Sequence, residues 1–226
     1  MTEQTYVEEY RTQLAMAYYY QLLVGEDAVT EEDVLLAYVD RVEESKNLYG
    51  SDVEAFETAV YNGLEVWYMP EGYRAVLQIL LPAEGATDAE RLASVQATID
   101  EIYARLENGE AFADLIAEYG ADSNFADASF YESGYQVHRE SVLWEDVFVA
   151  TAFSEDMAAP GDWSQPFTSD LGVHILYYLN DVPGGAVALS DEVKEALVYT
   201  LYNELAQTAL RERIDELSDT ANVVIY

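Results

Sequence analysis

No cysteine occurs among the 226 residues. Disulfides, thiolate metal sites, a cysteine nucleophile and a lipid-modified cysteine are therefore excluded for this sequence. Basic residues are almost as scarce. Ten Lys and Arg face 44 Asp and Glu, a formal net charge of −34, and Lys46 and Lys194 are the only lysines. A field of that sign repels phosphate backbones, so no nucleic-acid partner is expected. Acidic lipid headgroups are repelled too, whereas basic or unfolded cationic chains are attracted. The same charge also serves solubility, or life in a salty medium. No apolar run reaches the ~18 residues of a membrane helix, so no membrane span is expected. The start, Met1-Thr2-Glu3-Gln4, has neither the basic stretch nor the apolar run of an export leader. A cytoplasmic setting and a leader removed beforehand both stay open.

What is present is apolar and aromatic. Half of the residues are hydrophobic and 19 are Tyr, enough for one large domain or two modest ones. Residues 1–70 read as helical. Tyr6, Tyr10, Leu14, Ala17, Tyr18 and Leu22 follow helical spacing up to a stop at Gly25. Thr30-Glu31-Glu32-Asp33 resembles a capping box, opening a helix with Val34, Leu35, Tyr38 and Val42 on its inner face. These acids read as caps and solvated faces, since they lack the alternating spacing of a calcium loop. A third helix is expected from Ser51, with Glu54 three residues on, to Asn62-Gly63. An extended connector follows to Met69.

Between 73 and 182 strand and helix signals alternate. Tyr73 to Leu81 is an apolar strand. Asp88 to Leu106 is a helix with Leu92, Val95, Ile99, Ile102 and Leu106 on one stripe. Phe112 to Tyr119 is a second helix, Phe130 to Val137 an extended piece, and Ser141 to Phe153 a third helix. Trp163 to Phe167 and Val173 to Leu179 are two further strands. After the turn at Pro183-Gly184-Gly185, Ser190 caps a long helix through Leu197, Leu201, Leu205, Ala209 and Ile214 within residues 188–226. Val223-Val224-Ile225-Tyr226 reads as a short strand or extended tail. Neither end is self-sufficient, so the two are expected to form one helical domain into which the middle is inserted.

The order of the middle segment carries more. Its opening strand is followed by Gly109-Glu110-Ala111-Phe112-Ala113, then a loop with Asp122, then Val147-Phe148 and Ala152-Phe153. It closes on Ser169-Asp170-Leu171-Gly172-Val173-His174-Ile175. Over roughly 105 residues this resembles the parvulin-type peptidyl-prolyl isomerase domain. The resemblance implies an α+β fold, a parvulin-like four-stranded antiparallel sheet with surrounding helices, here inserted in the helical domain formed by both chain ends. That layout resembles the PrsA/SurA-type extracytoplasmic foldases, in which the helical module cradles unfolded clients.

Residue by residue, His174 matches the second of the family's two crossed histidines. The first falls on Gln78, a departure, although an amide can still orient His174 by donating and accepting. Ser169 takes the hydroxyl position, with Thr168 as the alternative if the loop shifts by one. Asp122 falls beside the twisting peptide bond. Trp144 and Phe148, four apart, match the apolar pair that holds the proline ring; Ser133, before Gly134, and Phe153 complete the substrate-binding set. Read without the resemblance, His174 would be a hydrogen-bonded core residue, Trp144 and Phe148 ordinary core, and Asp122 a helix terminator. His138 has no counterpart and is expected at the surface. Pro82 to Asp88 has no basic residue, which argues against phosphoserine recognition.

The resemblance implies prolyl isomerisation of unfolded or proline-containing polypeptide clients, with no metal and no cofactor. A parvulin-shaped holdase with little isomerase activity is the alternative, for which Gln78 and Ser133 argue. A third reading is a structural protein that forms a homodimer through Tyr18, Tyr19 and Tyr20.

Overall fold

The structure, a computed structural model, describes residues 3–221; the expected tail at 223–226 lies outside the described residues. The chain divides into two compact units. One takes the described residues up to Glu43 together with those from Ala188 onward, and the other is Glu44–Val187.

The first unit holds α1 (Glu3–Val24), most of α2 (Glu31–Tyr49) and α8 (Asp191–Ala221), with α1 packed along α8. Gly25 ends α1 in a left-handed conformation, its N–H donating to the Gln21 carbonyl. The Thr30 box forms as expected: the Asp33 N–H donates to Thr30 Oγ1, and the Thr30 N–H to Asp33 Oδ2. Which faces are covered differs from the expectation. Tyr6, Tyr10, Leu14, Tyr18 and Leu22 are exposed along α1, and Leu35 is exposed beside a buried Val34. In α8, Leu197 and Ala206 are buried while Leu205 and Ile214 are exposed. Apolar residues sit on several sides of these helices, so spacing alone does not select the packed one. Among the described residues, no helix is long and apolar enough to cross a membrane.

The second unit begins with the end of α2 and with α3 (Val53–Tyr61). The α3 cap is Asp52, which accepts from the Ala55 N–H at 2.9 Å, rather than Ser51. Residues 44–70 thus pack with the sheet-bearing unit. The connector carries β1 (Tyr68–Met69), paired antiparallel with β6 (Gly185–Ala186). Between them run β2 (Arg74–Leu81), α4 (Asp88–Glu107), α5 (Phe112–Tyr119), a 3-10 turn at Ser123–Ala126 and α6 (Phe130–Ser133). After these come β3 (Tyr135–Val137), α7 (Asp146–Ala152), β4 (Phe167–Ser169) and β5 (Gly172–Asp181). The four longer strands form one antiparallel sheet in the order β3-β2-β5-β4.

Both faces of this sheet are covered, so its two central strands read as nearly continuous apolar runs. Side chains alternate between faces. Leu77, Ile79, Leu81, Val173 and Ile175 pack against Ile99, Ile102 and Leu106 of α4 and Phe112, Leu115 and Ile116 of α5. The opposite face sets Val76, Leu176 and Tyr178 against Phe148, Ala152, Met157 and Phe167. Gln78 and His174 share that second face by parity.

Three boundaries move for local reasons. The strand expected at Trp163 to Phe167 starts at Phe167, because Pro166 has no N–H for the ladder. Before it, Trp163 makes only an isolated bridge to Tyr177. The piece expected to be extended from Phe130 begins as the helical turn α6 and is turned into β3 by Gly134. Gly134 has φ +60, and a Cβ there would meet the Val76 carbonyl oxygen at 2.8 Å. The helix expected from Ser141 starts only at Asp146, for a reason given below.

Truncating Ile102, which has no exposed surface, to Ala should cost about 2–5 kcal/mol. The measurement is a lowered denaturant midpoint with unchanged slope. Leu171→Ala, at a residue 71 % exposed, should stay within about 0.5 kcal/mol of the parent.

Candidate functional site

The tight turn between β4 and β5 sets the first part of the site. Ser169 pairs with Gly172, Thr168 with Val173 and Phe167 with His174. Gly172 lies at φ +148, where a Cβ would meet the Leu81 carbonyl oxygen at 2.3 Å, so only glycine lets the hairpin close against β2. The register selects Ser169 over Thr168: Ser169 Oγ lies 2.6 Å from His174 Nε2 and accepts from the Leu171 N–H at 3.0 Å.

On β2, Gln78 is opposite Leu176 and Leu80 is opposite His174. Gln78 and His174 are therefore diagonal neighbours on one face, and Gln78 Oε1 stands 2.9 Å from His174 Nδ1. Gln78 Nε2 donates to Asp122 Oδ2. The Tyr135 hydroxyl donates to the same oxygen, and the Asn124 N–H donates to Asp122 Oδ1 at 3.0 Å. With the amide directed by Asp122, the remaining protons are assigned by elimination. His174 carries its proton on Nδ1 and donates to Gln78, and the Ser169 hydroxyl donates to His174 Nε2. Gln78 thus does for His174 what an amide can do at that position, orienting the ring and holding one tautomer.

An aromatic wall encloses the other side. Trp144 and Phe148 stack with centroids 4.6 Å apart and planes at 14°. Phe148 meets Phe167 edge-on at 5.9 Å, and Phe167 stacks on His174 at 5.0 Å. Such contacts contribute about 0.5–1.5 kcal/mol each beyond area burial. Trp144 lies in the turn before α7 rather than on it, although the spacing of four still stacks the two rings. Together they line a cavity of about 80 Å³ bounded by Gln78, Trp144, Glu145, Phe148, Phe167, Ser169, Leu171 and His174.

Five of the eight residues expected from the sequence therefore line one cavity: Gln78, Trp144, Phe148, Ser169 and His174. Asp122 stands one hydrogen bond behind the cavity, through Gln78, and also caps the 3-10 turn at Ser123–Ala126. Ser133 is exposed at the end of α6 and is not among the lining residues. Phe153 lies elsewhere, with the Arg74 and Arg139 guanidinium carbons 4.2 and 4.4 Å from its ring centroid. Phe167, Tyr135, Glu145 and Leu171 were not expected as site residues. Phe167 was recoverable from its alternation with Ser169, while the others needed the tertiary fold. His138, expected at the surface, is half-buried against Tyr73, the ring centroids 5.0 Å apart.

Burial decides the charge state of the floor. His174 is 3 % exposed, and desolvation lowers its pKa to about 4 against the opposing pull of Asp122. Tyr135 is pushed up to about 12, by desolvation first and then by its bond to Asp122. The imidazole is thus neutral at ordinary pH. Between about pH 6.5 and 4 the unfolded chain binds a proton that the folded one refuses, so stability falls as pH falls through that window. Denaturant titrations from pH 7 to 5 should show this slope flattened in a His174→Gln variant.

Residues 79–180 match the family described as Rotamase: PPIC-type PPIASE domain. Two curated relatives are named foldase protein PrsA. That of Oceanobacillus iheyensis is 30 % identical over 134 residues, covering 56 % of this chain and 41 % of that protein. That of Caldanaerobacter subterraneus is 29 % identical over 136 residues, covering 58 % and 40 %. The chain spans about two-fifths of the length of these relatives. Among solved structures, PrsA from Bacillus subtilis aligns with 99 % of this chain and 82 % of its own, at 20 % identity and a TM-score of 0.36. PrsA from Bacillus cereus aligns with 100 % and 90 %, at 16 % identity and a TM-score of 0.38. Residues 79–180 thus match a parvulin-type peptidyl-prolyl isomerase domain, and the chain has distant identity to the PrsA foldases.

Proposed function

We propose that the cavity holds the pyrrolidine ring of an X-Pro bond and catalyses its cis/trans exchange in unfolded or exported polypeptides. The observation that carries this reading is the cavity itself: an aromatic wall of Trp144, Phe148 and Phe167 facing a neutral, fully hydrogen-bonded floor of Ser169, His174 and Gln78. The uncatalysed barrier, ~18–20 kcal/mol, is the loss of amide resonance on twisting. Gripping the ring in a dry cavity while the preceding carbonyl turns stabilises the twisted amide by differential binding. No covalent intermediate is required. Asp122 acts through Gln78 by holding its amide in one orientation.

The helical unit presents exposed Tyr, Leu and Val side chains under a strong negative charge, which suits basic, unfolded clients outside the cytoplasm. Self-association through α1, where Tyr18 is exposed and Tyr19 and Tyr20 are half-buried, is a separate proposal that light scattering at several concentrations decides. The holdase reading keeps one observation in its favour, Gln78 in place of a second histidine.

An isomerase assay on a proline peptide separates the two main readings. Wild type should accelerate exchange, and Trp144→Leu and Phe148→Ala should each lower kcat/KM about tenfold or more. Peptide binding without acceleration would favour the holdase. Affinity for a basic unfolded peptide should fall between about 0.01 and 0.15 M ionic strength, as the Debye length shrinks from about 30 to about 8 Å. Affinity unchanged over that range would remove the electrostatic part of the proposal.

A further inference from the structure

Glu57 on α3 is a carboxylate only 3 % exposed, and among the described residues no ion pair to it is found. It is satisfied by donors instead. Its Oε2 accepts from the Ser141 hydroxyl at 2.9 Å and from the N–H groups of Val142 and Leu143 at 2.7 and 3.2 Å. Its Oε1 accepts from the Tyr73 hydroxyl at 3.1 Å. Three consecutive residues of one turn are thus gathered on a single oxygen. A buried carboxylate is expensive unless its lone pairs are met, and charge-assisted bonds of this kind are stronger than neutral ones.

This explains why the helix expected from Ser141 is delayed. The N–H groups of Val142 and Leu143 point at Glu57, so 141–143 forms a turn around a carboxylate and α7 begins at Asp146. The next residue along the chain is Trp144. Its indole N–H donates to the Gln136 carbonyl at 3.1 Å, and its ring stacks on Phe148 as the outer wall of the cavity. The hydrogen-bond partners of Glu57 named above are not among the lining residues, and Glu57 lies upstream of the matched stretch, residues 79–180.

We propose that Glu57 is a positioning residue for the proline cavity: by holding the Ser141–Leu143 turn it fixes where the Trp144 ring stands. The proposal rests on the reading of the cavity as a proline site, and it extends that site to an element outside the matched domain. An amide is a fair substitute. The Glu57→Gln oxygen can accept the three turn donors while its NH₂ donates to the Tyr73 oxygen. Alanine removes the acceptor of all four donors, and of these the Leu143 N–H keeps a second bond, to Ser141 Oγ at 3.3 Å.

The test uses the full chain labelled with 5-fluorotryptophan, in which Trp67, Trp144 and Trp163 each give one fluorine resonance, the Trp144 signal being assigned with Trp144→Phe. Glu57→Ala should shift or broaden the Trp144 resonance and leave the other two in place. On a proline peptide it should raise KM about fivefold or more while kcat stays within about twofold. Glu57→Gln should restore both readouts. Ser141→Ala, which removes one donor, supplies a milder change of the same sign should Glu57→Ala fail to fold. A folded Glu57→Ala, or Ser141→Ala in its place, with an unmoved Trp144 resonance and unchanged KM overturns the proposal. If the wild type shows no isomerase activity, the function proposed above fails, while the fluorine spectra still decide whether Glu57 places Trp144.

Discussion

The hydrogen bond from His174 Nδ1 to Gln78 Oε1, 2.9 Å long and buried between the two central strands, is the constraint on which the site depends. It exists only because β2 and β5 run antiparallel with Leu80 opposite His174, which makes the two polar side chains diagonal neighbours. A slip of one residue would turn either of them to the α4 and α5 face, into an apolar core with no partner. Once the bond is made, every other proton in the floor has one place to go. Asp122 takes the amide N–H of Gln78, and the free imidazole nitrogen takes the hydroxyl of Ser169. An imidazole held this way is a neutral, rigid wall rather than a base awaiting a proton.

Such a floor suits a reaction whose barrier is electronic and internal to the substrate. Nothing needs to be abstracted or attacked when an amide loses resonance. What matters is a ring grip and an environment that does not over-stabilise the planar form. On the function proposed above, the stacked Trp144 and Phe148 and the edge-on Phe167 provide the grip. The chain therefore joins opposite surroundings: a strongly acidic exterior and a small cavity whose facing groups are mostly apolar or neutral. On the function proposed above, long-range attraction of a cationic chain and short-range capture of a proline are separate tasks for separate residues.

The second compact unit, Glu44–Val187, is wider than the stretch matched by the family, 79–180. The difference has a physical content. α3 contributes Phe56 to an aromatic cluster with Tyr49 and Tyr73, and Glu57 to the turn that precedes the aromatic wall. The short pairing of β1 with β6 ties the two ends of this unit together. The site is thus braced from both sides of the sheet-forming segment.

Much of this was legible from residues alone. The strands β2 and β5 are apolar runs, the α4 stripe has helical period, and the Gly172-x-His174 spacing with Ser169 upstream marks the hairpin. These are local signals, set by side-chain periodicity and by the one residue that tolerates a tight turn. The packed faces of α1 and α8 were not legible, because apolar residues lie on several of their sides. The delay of α7 was hidden as well, since its cause is a carboxylate 84 positions upstream of Ser141. Likewise, spacing could pair Trp144 with Phe148 but could not exclude Ser133 and Phe153 from the cavity. By itself the sequence determined the elements, their order and the polar residues available to a site, because these follow from short-range sterics and alternation. Only the tertiary structure decided which of them meet, since strand register and the partners of buried polar groups are properties of contacts distant along the chain.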